Sequence, residues 1–132
     1  MIERIKVASS SHEQLREITG AVNDVLRQSR VQQGICHIFV PHTTAGLIVN
    51  ENADPDVCRD ILDWLESAVP STRRFRHAEG NAPAHIRASL VGQSAAIPFE
   101  GGKLALGTWQ GVYLAEFDGP RQRTVIVSVT GS

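Results

Sequence analysis

Apolar residues recurring at helical spacing predict three helices. The first follows two overlapping capping-box patterns that start at Ser10 and Ser11, and it is expected to end near Ser29. The second starts at Asp54-Pro55, because Asp can accept the free amides of the first turn and Pro fits the first helical position. The third begins around Pro83 and ends at Gly92.

Alternating apolar and polar positions predict strands on both sides of these helices. Two short strands flank the Pro41-His42-Thr43-Thr44 corner and are expected to pair with each other. Helices early and strands late predict a single α+β domain over residues 1–132 with about three helices and a largely antiparallel or mixed β-sheet. The predicted strands are 2–8, 35–40, 46–49, 94–99, 103–106, 109–117 and 121–129.

Composition indicates a globular domain. The chain has 132 residues, 42% of them hydrophobic, with 13 Lys and Arg residues against 14 Asp and Glu residues. A chain of this length can bury a core without disulfides or a structural metal. The net charge of −1 gives no general attraction to phosphate backbones or anionic lipid, so neither a nucleic-acid nor a membrane partner is expected. The chain contains no long apolar run and no signal-peptide layout, which predicts a cytoplasmic location.

Three of the five histidines stand among other polar residues and are the first candidates for chemistry. His42 follows a predicted strand, His77 lies in a loop, and His85 lies near the start of the third predicted helix. Imidazoles from a loop and a helix start can converge on one divalent metal, as in catalytic zinc sites with three protein ligands. Spacing alone favours the alternative of three surface or hydrogen-bonding histidines. His37 is expected to be packed within its strand.

Two acidic residues are candidates for acid–base chemistry. Asn50, Glu51 and Asn52 precede the second helix in a polar stretch that serves either as a loop with a helix cap or as part of a site. Strand alternation places Glu116 on the same face as neighbouring apolar residues, and if that face turns toward the core, this carboxylate needs a partner. Glu51 and Glu116 are therefore the candidates for a general acid or base.

Arg121 and Arg123 lie on one face of the last predicted strand, which passes from charged to apolar along its length. Two guanidinium groups at the mouth of a core can bind a phosphate or a carboxylate in bidentate fashion. The alternative is that they pair with Glu116, Asp118 or another acid of the chain. Arginines left unpaired in a cleft would favour an anionic ligand.

Five segments, taken in chain order, resemble the YjbQ-like family, whose members are small stand-alone proteins often labelled secondary thiamine-phosphate synthases. The resemblance covers essentially the whole chain. The segments are Pro41-His42-Thr43-Thr44-Ala45, Asn50-Glu51-Asn52-Ala53-Asp54-Pro55, His77-x-Glu79-Gly80-Asn81 with Ala84-His85, Leu104-x-Leu106-Gly107-Thr108-Trp109-Gln110, and Asp118-Gly119-Pro120-Arg121-x-Arg123.

This resemblance implies an α+β fold with a mixed sheet, a homotrimer, and a divalent metal near the histidines. The positions of this chain that match the family segments, and are therefore the expected metal ligands, are His42, His77 and His85. Zinc suits imidazole ligands, and magnesium is the alternative if the substrate is a diphosphate. Sites between subunits would give a small chain a substrate cleft. The substrate-binding candidates are Asn50, Asn52, Asn81, Gln110, Arg121 and Arg123.

The sequence thus suggests a metal-binding enzyme that acts on a small phosphorylated or otherwise anionic substrate. Its most specific form is a thiamine-phosphate synthase, which joins a pyrimidine-methyl diphosphate to a thiazole phosphate and releases pyrophosphate. A divalent cation and positive charge would stabilise that leaving group. The alternatives are a metal-dependent phosphoesterase and a non-catalytic trimer that binds a metal or a metabolite.

Overall fold

Eight strands and three helices make up the chain, and the structure, a computed structural model, describes all 132 residues. In chain order the elements are β1 (Ile2–Ala8), β2 (Gln14–Glu17), α1 (Thr19–Ser29), β3 (Gln33–Phe39), β4 (Ala45–Glu51), α2 (Pro55–Ala68), α3 (Ala82–Val91), β5 (Ser94–Glu100), β6 (Lys103–Leu104), β7 (Gln110–Glu116) and β8 (Gln122–Gly131).

The strands form two sheets in which every pairing is antiparallel. One sheet has five strands in the order β1-β8-β3-β5-β6, and the other has three in the order β2-β7-β4. The predicted α+β class, the three helices and the antiparallel pairing are confirmed. The single predicted sheet is wrong, because the chain divides its strands between two sheets. The mixed sheet implied by the family resemblance is also wrong, because no two strands pair in parallel.

The main core lies between the two sheets and is completed by α1. Inward positions alternate along each strand, so that Cys36 and Ile38 of β3 and Leu114 of β7 are buried in this one cluster. A second, smaller cluster covers the other face of the three-stranded sheet, where Ala115 and Phe117 pack with residues of α2 and α3. The layers therefore run sheet, sheet, helices.

The second and third predicted helices are confirmed at their capping positions. Asp54 precedes α2, and its side chain accepts a hydrogen bond from the backbone N–H of Asp56 at 2.9 Å, while Pro55 occupies the first helical position. α3 ends at Gly92, which has a positive φ of 90° that suits glycine. None of the three helices has the length and apolar character needed to span a membrane.

The first predicted helix is wrong in its N-terminal part. Gln14–Glu17 form β2, which pairs with β7 so that Leu15 lies opposite Ala115, and α1 begins only at Thr19. Neither predicted capping box forms: Gln14 Oε1 accepts a hydrogen bond from the Ser10 N–H at 2.9 Å, four residues away, and this bond precedes a strand. The strand forms because β7 supplies a ladder that local spacing cannot reveal.

Two further predictions fail around β3. β3 and β4 do not pair with each other, because β3 lies between β5 and β8 while β4 pairs with β7. The corner after β3 therefore carries the chain from one sheet to the other. His37 is exposed rather than packed, because Cys36 and Ile38 take the inward positions of the strand. Its neighbours on the outer face, Ile35 and Phe39, are 46% and 40% exposed.

Candidate functional site

Three segments enclose a polar cleft of about 390 Å³ at one end of the molecule. They are the corner after β3, the loop that enters α3, and the connection between β7 and β8. The sheet register brings the first and third segments together, because Ala45 at the start of β4 pairs with Glu116 at the end of β7. Ten residues line the cleft and all but the proline are polar or charged: Pro41, His42, Thr43, Thr44, Glu79, Asn81, His85, Asp118, Arg121 and Arg123.

A buried ion pair lies behind the cleft. Glu116 is fully buried and Arg123 is 4% exposed. The carboxylate accepts hydrogen bonds from Arg123 Nε at 2.9 Å, Arg123 Nη2, Ser9 Oγ at 2.7 Å and the Asp118 N–H at 3.1 Å. Burial by itself would raise the pKa of Glu116, but these hydrogen bonds and the charge of Arg123 lower it overall. Glu116 is thus an ionised group with both oxygens engaged.

This arrangement gives Glu116 a positioning role, because its carboxylate holds Arg123 and does not line the cleft. Arg123 Nη2 also donates to Thr44 Oγ1 at 2.9 Å and to the Thr44 carbonyl at 3.3 Å. The guanidinium is therefore held rigidly between the two sheets. The geometry provides no free oxygen of Glu116 for the acid–base role predicted from the sequence.

A second ion pair lies at the rim of the cleft. Arg121 donates from Nε to the Asp118 carbonyl at 2.7 Å and from Nη2 to Asp118 Oδ2 at 3.0 Å, and Asn81 Nδ2 donates to the same Oδ2 at 2.9 Å. Burial by itself would raise the pKa of Asp118, whereas the hydrogen bonds from Asn81 and Arg121 lower it overall. Asn81 thereby ties the loop before α3 to the β7–β8 connection.

The two arginines are paired with acids of the chain, which was the alternative to an anion clamp. Arg121 pairs with Asp118 and Arg123 pairs with Glu116. Each guanidinium nevertheless keeps its Nη1 outside every hydrogen bond of the chain, while both residues line the cleft. Each arginine therefore keeps its Nη1 amino group, with two N–H donors, for a ligand.

His42 is held by the backbone of the neighbouring sheet. Its Nε2 accepts a hydrogen bond from the Thr124 N–H at 3.0 Å, and because a backbone N–H can only donate, this nitrogen carries no proton. The imidazole therefore carries its proton on Nδ1, which has no partner within the chain. Burial, and then the charge of Arg123, lower the pKa of His42, in keeping with a neutral ring.

The three-histidine metal set predicted from the resemblance does not fit this geometry. A metal ligand must present a nitrogen lone pair, and in His42 one nitrogen is engaged by Thr124 while the other is protonated. His77 and His85 do lie side by side, with ring centroids 5.1 Å apart and edge-to-face packing. No group of three or more His, Cys, Asp or Glu side chains stands close enough together to hold a metal ion.

Four of the predicted site residues lie elsewhere in the molecule. Asn50, Glu51, Asn52 and Gln110 are at the opposite end of the three-stranded sheet, where Glu51 pairs with Gln110. Ala45 and Glu51 are the two ends of β4, and at about 3.3 Å per residue they are roughly 20 Å apart. Asn52 Nδ2 donates to Glu17 Oε2 at 3.0 Å, and Gln110 Oε1 accepts from the Gly107 N–H at 2.8 Å. These residues are therefore too far from the cleft of their own chain to contact a ligand bound in it.

The sequence-based candidates omitted several residues that build the cleft. Ser9 and Thr44 hold the Glu116–Arg123 pair, and the Thr124 N–H orients His42. Thr44 was visible only as part of a matching segment, and Ser9 as a polar residue that follows β1. Their importance comes from contacts between distant segments, which no spacing in the sequence marks.

The fold and the cleft define a small α+β protein with two facing antiparallel sheets and a polar cleft at one end. The chain belongs to the family described as UPF0047 protein YjbQ-like, whose profile matches residues 3–132. A UPF0047 protein of Methanocaldococcus jannaschii is 46% identical to it over 99% of this chain and 95% of that protein. The UPF0047 protein YugU of Bacillus subtilis is 41% identical over 99% of this chain and 100% of its own length.

Solved structures agree with this assignment. An uncharacterised conserved protein of the YjbQ/UPF0047 family from Clostridium acetobutylicum superposes with a TM-score of 0.94 at 48% identity, covering 97% of this chain and 99% of that one. A protein of unknown function from Sulfolobus solfataricus P2 gives a TM-score of 0.95 at 34% identity, covering 100% and 97%. The family resemblance seen in the sequence is confirmed.

Proposed function

We propose that the polar cleft binds a small anionic metabolite, phosphorylated by preference, and that the protein is an enzyme acting on it. The observation that supports this proposal is that several N–H donors of the cleft wall have no hydrogen-bond partner in the chain, while none of the lining residues is hydrophobic. Arg121 and Arg123 each have an unengaged Nη1, and His42, which lines the same cleft, has an Nδ1–H without a partner in the chain. Several fixed N–H donors converging on one cleft suit the oxygens of a phosphate or carboxylate.

Glu79 is the carboxylate best placed to exchange a proton with such a ligand. It lines the cleft, is exposed, and forms no hydrogen bond or ion pair with the rest of the chain. Asp118, the other acidic residue in the wall, is engaged by Arg121 and Asn81. Glu79 therefore replaces Glu116 and Glu51 as the proposed general base.

The first experiment measures binding of inorganic phosphate by isothermal titration calorimetry. Arg121→Ala is expected to raise the Kd at least about tenfold, because a charge-assisted hydrogen bond to the anion is lost. Arg59→Ala is the matched control, since Arg59 also pairs with an acid three residues earlier in the chain, at 3.4 Å, and is exposed to solvent on α2. No phosphate binding by the wild type, or equal losses in both variants, would overturn the proposal.

Activity is then measured with two substrates of different chemistry, each with magnesium or zinc present. A pyrimidine-methyl diphosphate with a thiazole phosphate tests thiamine-phosphate synthase activity through pyrophosphate release, and p-nitrophenyl phosphate tests phosphoesterase activity. Glu79→Gln is expected to abolish turnover while leaving the Kd for phosphate within about twofold. Saturable phosphate binding without turnover of any substrate would favour the second candidate, a non-catalytic metabolite-binding protein.

That second candidate has a specific observation in its favour. Both predicted acid–base groups are lost to the cleft, because Glu116 is fully engaged in hydrogen bonds and Glu51 lies roughly 20 Å along the sheet. Glu79 is the one carboxylate of the cleft wall that has no partner in the chain. A binding protein needs the donors of the cleft and no such group. The Glu79→Gln variant separates the two, because it removes turnover only from an enzyme.

We also propose the homotrimer as the working assembly, formed through the outer face of the five-stranded sheet. Ile2, Ile35 and Phe39 are 60%, 46% and 40% exposed on this face, which no helix covers. Sedimentation analysis of the wild type and of Ile35→Glu tests the proposal. A wild-type monomer, or a trimer unchanged by a charge on this face, would contradict it.

A further inference from the structure

A second and larger cavity, of about 620 Å³, lies beside the polar cleft. Four consecutive residues before α3, Arg73, Arg74, Phe75 and Arg76, form much of its wall and are called the arginine loop here. The cavity shares His85 with the polar cleft, so the two are adjacent. Its other lining residues are His77, Ala82, His85 and Ile86.

The arginine loop concentrates positive charge that no ion pair neutralises. Arg73, Arg74 and Arg76 are exposed, and they form none of the five ion pairs of the chain, whereas five other arginines are each paired with an acid. The chain as a whole has a net charge of −1, so this excess is local. Three like charges within four residues repel one another, and a bound anion would relieve that repulsion.

The arginine loop shares its cavity with apolar side chains. Phe75 and Ile86 line it together with the arginines, and His85 lines both this cavity and the cleft that holds Arg121 and Arg123. A molecule that spans the two cavities past His85 would thus reach guanidinium groups in each of them and apolar side chains in the larger one. A single phosphate could reach only one of these two sets.

We propose that the arginine loop binds a second anionic group of the same ligand. The substrate class is then a short carbon skeleton with an anionic group at each end, two phosphates or a phosphate and a carboxylate. This inference rests on the proposed anion site in the cleft and deepens it. Planar guanidinium groups suit either anion, because they donate two parallel hydrogen bonds to its oxygens.

The test compares straight-chain alkanediol bisphosphates of two to six carbons with the corresponding monophosphates, each titrated into the wild-type protein at low ionic strength. At one or two chain lengths the bisphosphate is expected to bind at least about tenfold more tightly than its monophosphate, a difference worth about 1.4 kcal/mol. The triple variant R73S/R74S/R76S should lose this advantage, while its Kd for the monophosphate stays within about twofold of the wild-type value.

The charge-matched control is R27S/R30S/R59S, which removes three exposed arginines away from both cavities. It should keep the bisphosphate advantage. An advantage that survives in the loop variant, or that falls equally in the control, would overturn the inference, as would the absence of any advantage at all five lengths. If neither the monophosphates nor inorganic phosphate bind the wild type, the anion site in the cleft fails first and this inference falls with it.

Discussion

Replacing Glu116 by Gln leaves the Arg123 charge buried without a counter-ion and tests whether the ion pair behind the cleft organises the site. Glu116 is fully buried and Arg123 is 4% exposed, so water cannot replace the lost partner. Breaking a buried pair on one side typically costs about 3–5 kcal/mol. At about 2.1 cal/mol/K per residue, the unfolding entropy of the 132 residues is roughly 280 cal/mol/K. A loss of about 4 kcal/mol divided by this entropy lowers the Tm by roughly 14 °C.

The assay is thermal and urea unfolding followed by circular dichroism, with two companion variants. Asp56→Asn breaks the exposed Asp56–Arg59 pair, whose side chains are 72% and 76% exposed, and should cost under about 1 kcal/mol. The double variant Glu116→Leu/Arg123→Met removes both buried charges and should be more stable than Glu116→Gln. A Glu116→Gln loss no larger than that of Asp56→Asn, or a double variant less stable than the single one, would refute the reasoning.

Other predictions follow from the same geometry. The pKa of Glu116 is lowered in the folded state, so its ionised form stabilises the protein. This contribution to the free energy of unfolding is present above about pH 4.3, the ordinary pKa of a glutamate, and is lost as the pH falls through the lowered pKa. Glu116→Gln should therefore flatten the acid limb of a pH–stability curve. Nitrogen-15 NMR of the imidazoles should show His42 protonated on Nδ1, and an Nε2–H signal would contradict its bond to Thr124. Zinc titration should give the same stoichiometry for His42→Asn as for the wild type, whereas loss of bound zinc in that variant would restore His42 as a ligand. Glu51→Gln should leave phosphate affinity and any turnover within about twofold of the wild-type values. A large loss would mean that Glu51 contributes to the working site, for example from a partner subunit.

The sequence by itself determined most of the local structure. The strand Ile2–Ala8, the cap at Asp54 and the end of α3 at Gly92 all lie where periodicity and capping residues indicate. Alternation along β7 also put Glu116 on one face with neighbouring apolar residues and predicted that it needs a partner if that face turns toward the core. These features depend on residues within a few positions of each other, which is why the pattern of side chains is enough to find them.

Only the tertiary structure decided which of these elements meet. Ser10 to Gln14 carry a valid helix-start pattern, yet β2 forms because β7 offers a hydrogen-bonding edge from the far end of the chain. The same kind of long-range contact separates the predicted site into two groups, since β4 carries Glu51 away from the corner that holds His42.

The roles of the site residues were decided in the same way. In the sequence, Arg123 could equally be an anion ligand or a partner for an acid, and His42 could be a metal ligand or a hydrogen-bonding group. The facing sheets bring Glu116 to Arg123 and the Thr124 N–H to His42, and those contacts assign the lone pairs and protons. Protonation and pairing depend on groups brought together by folding, so the pattern names the candidate residues while the tertiary contacts determine their chemistry.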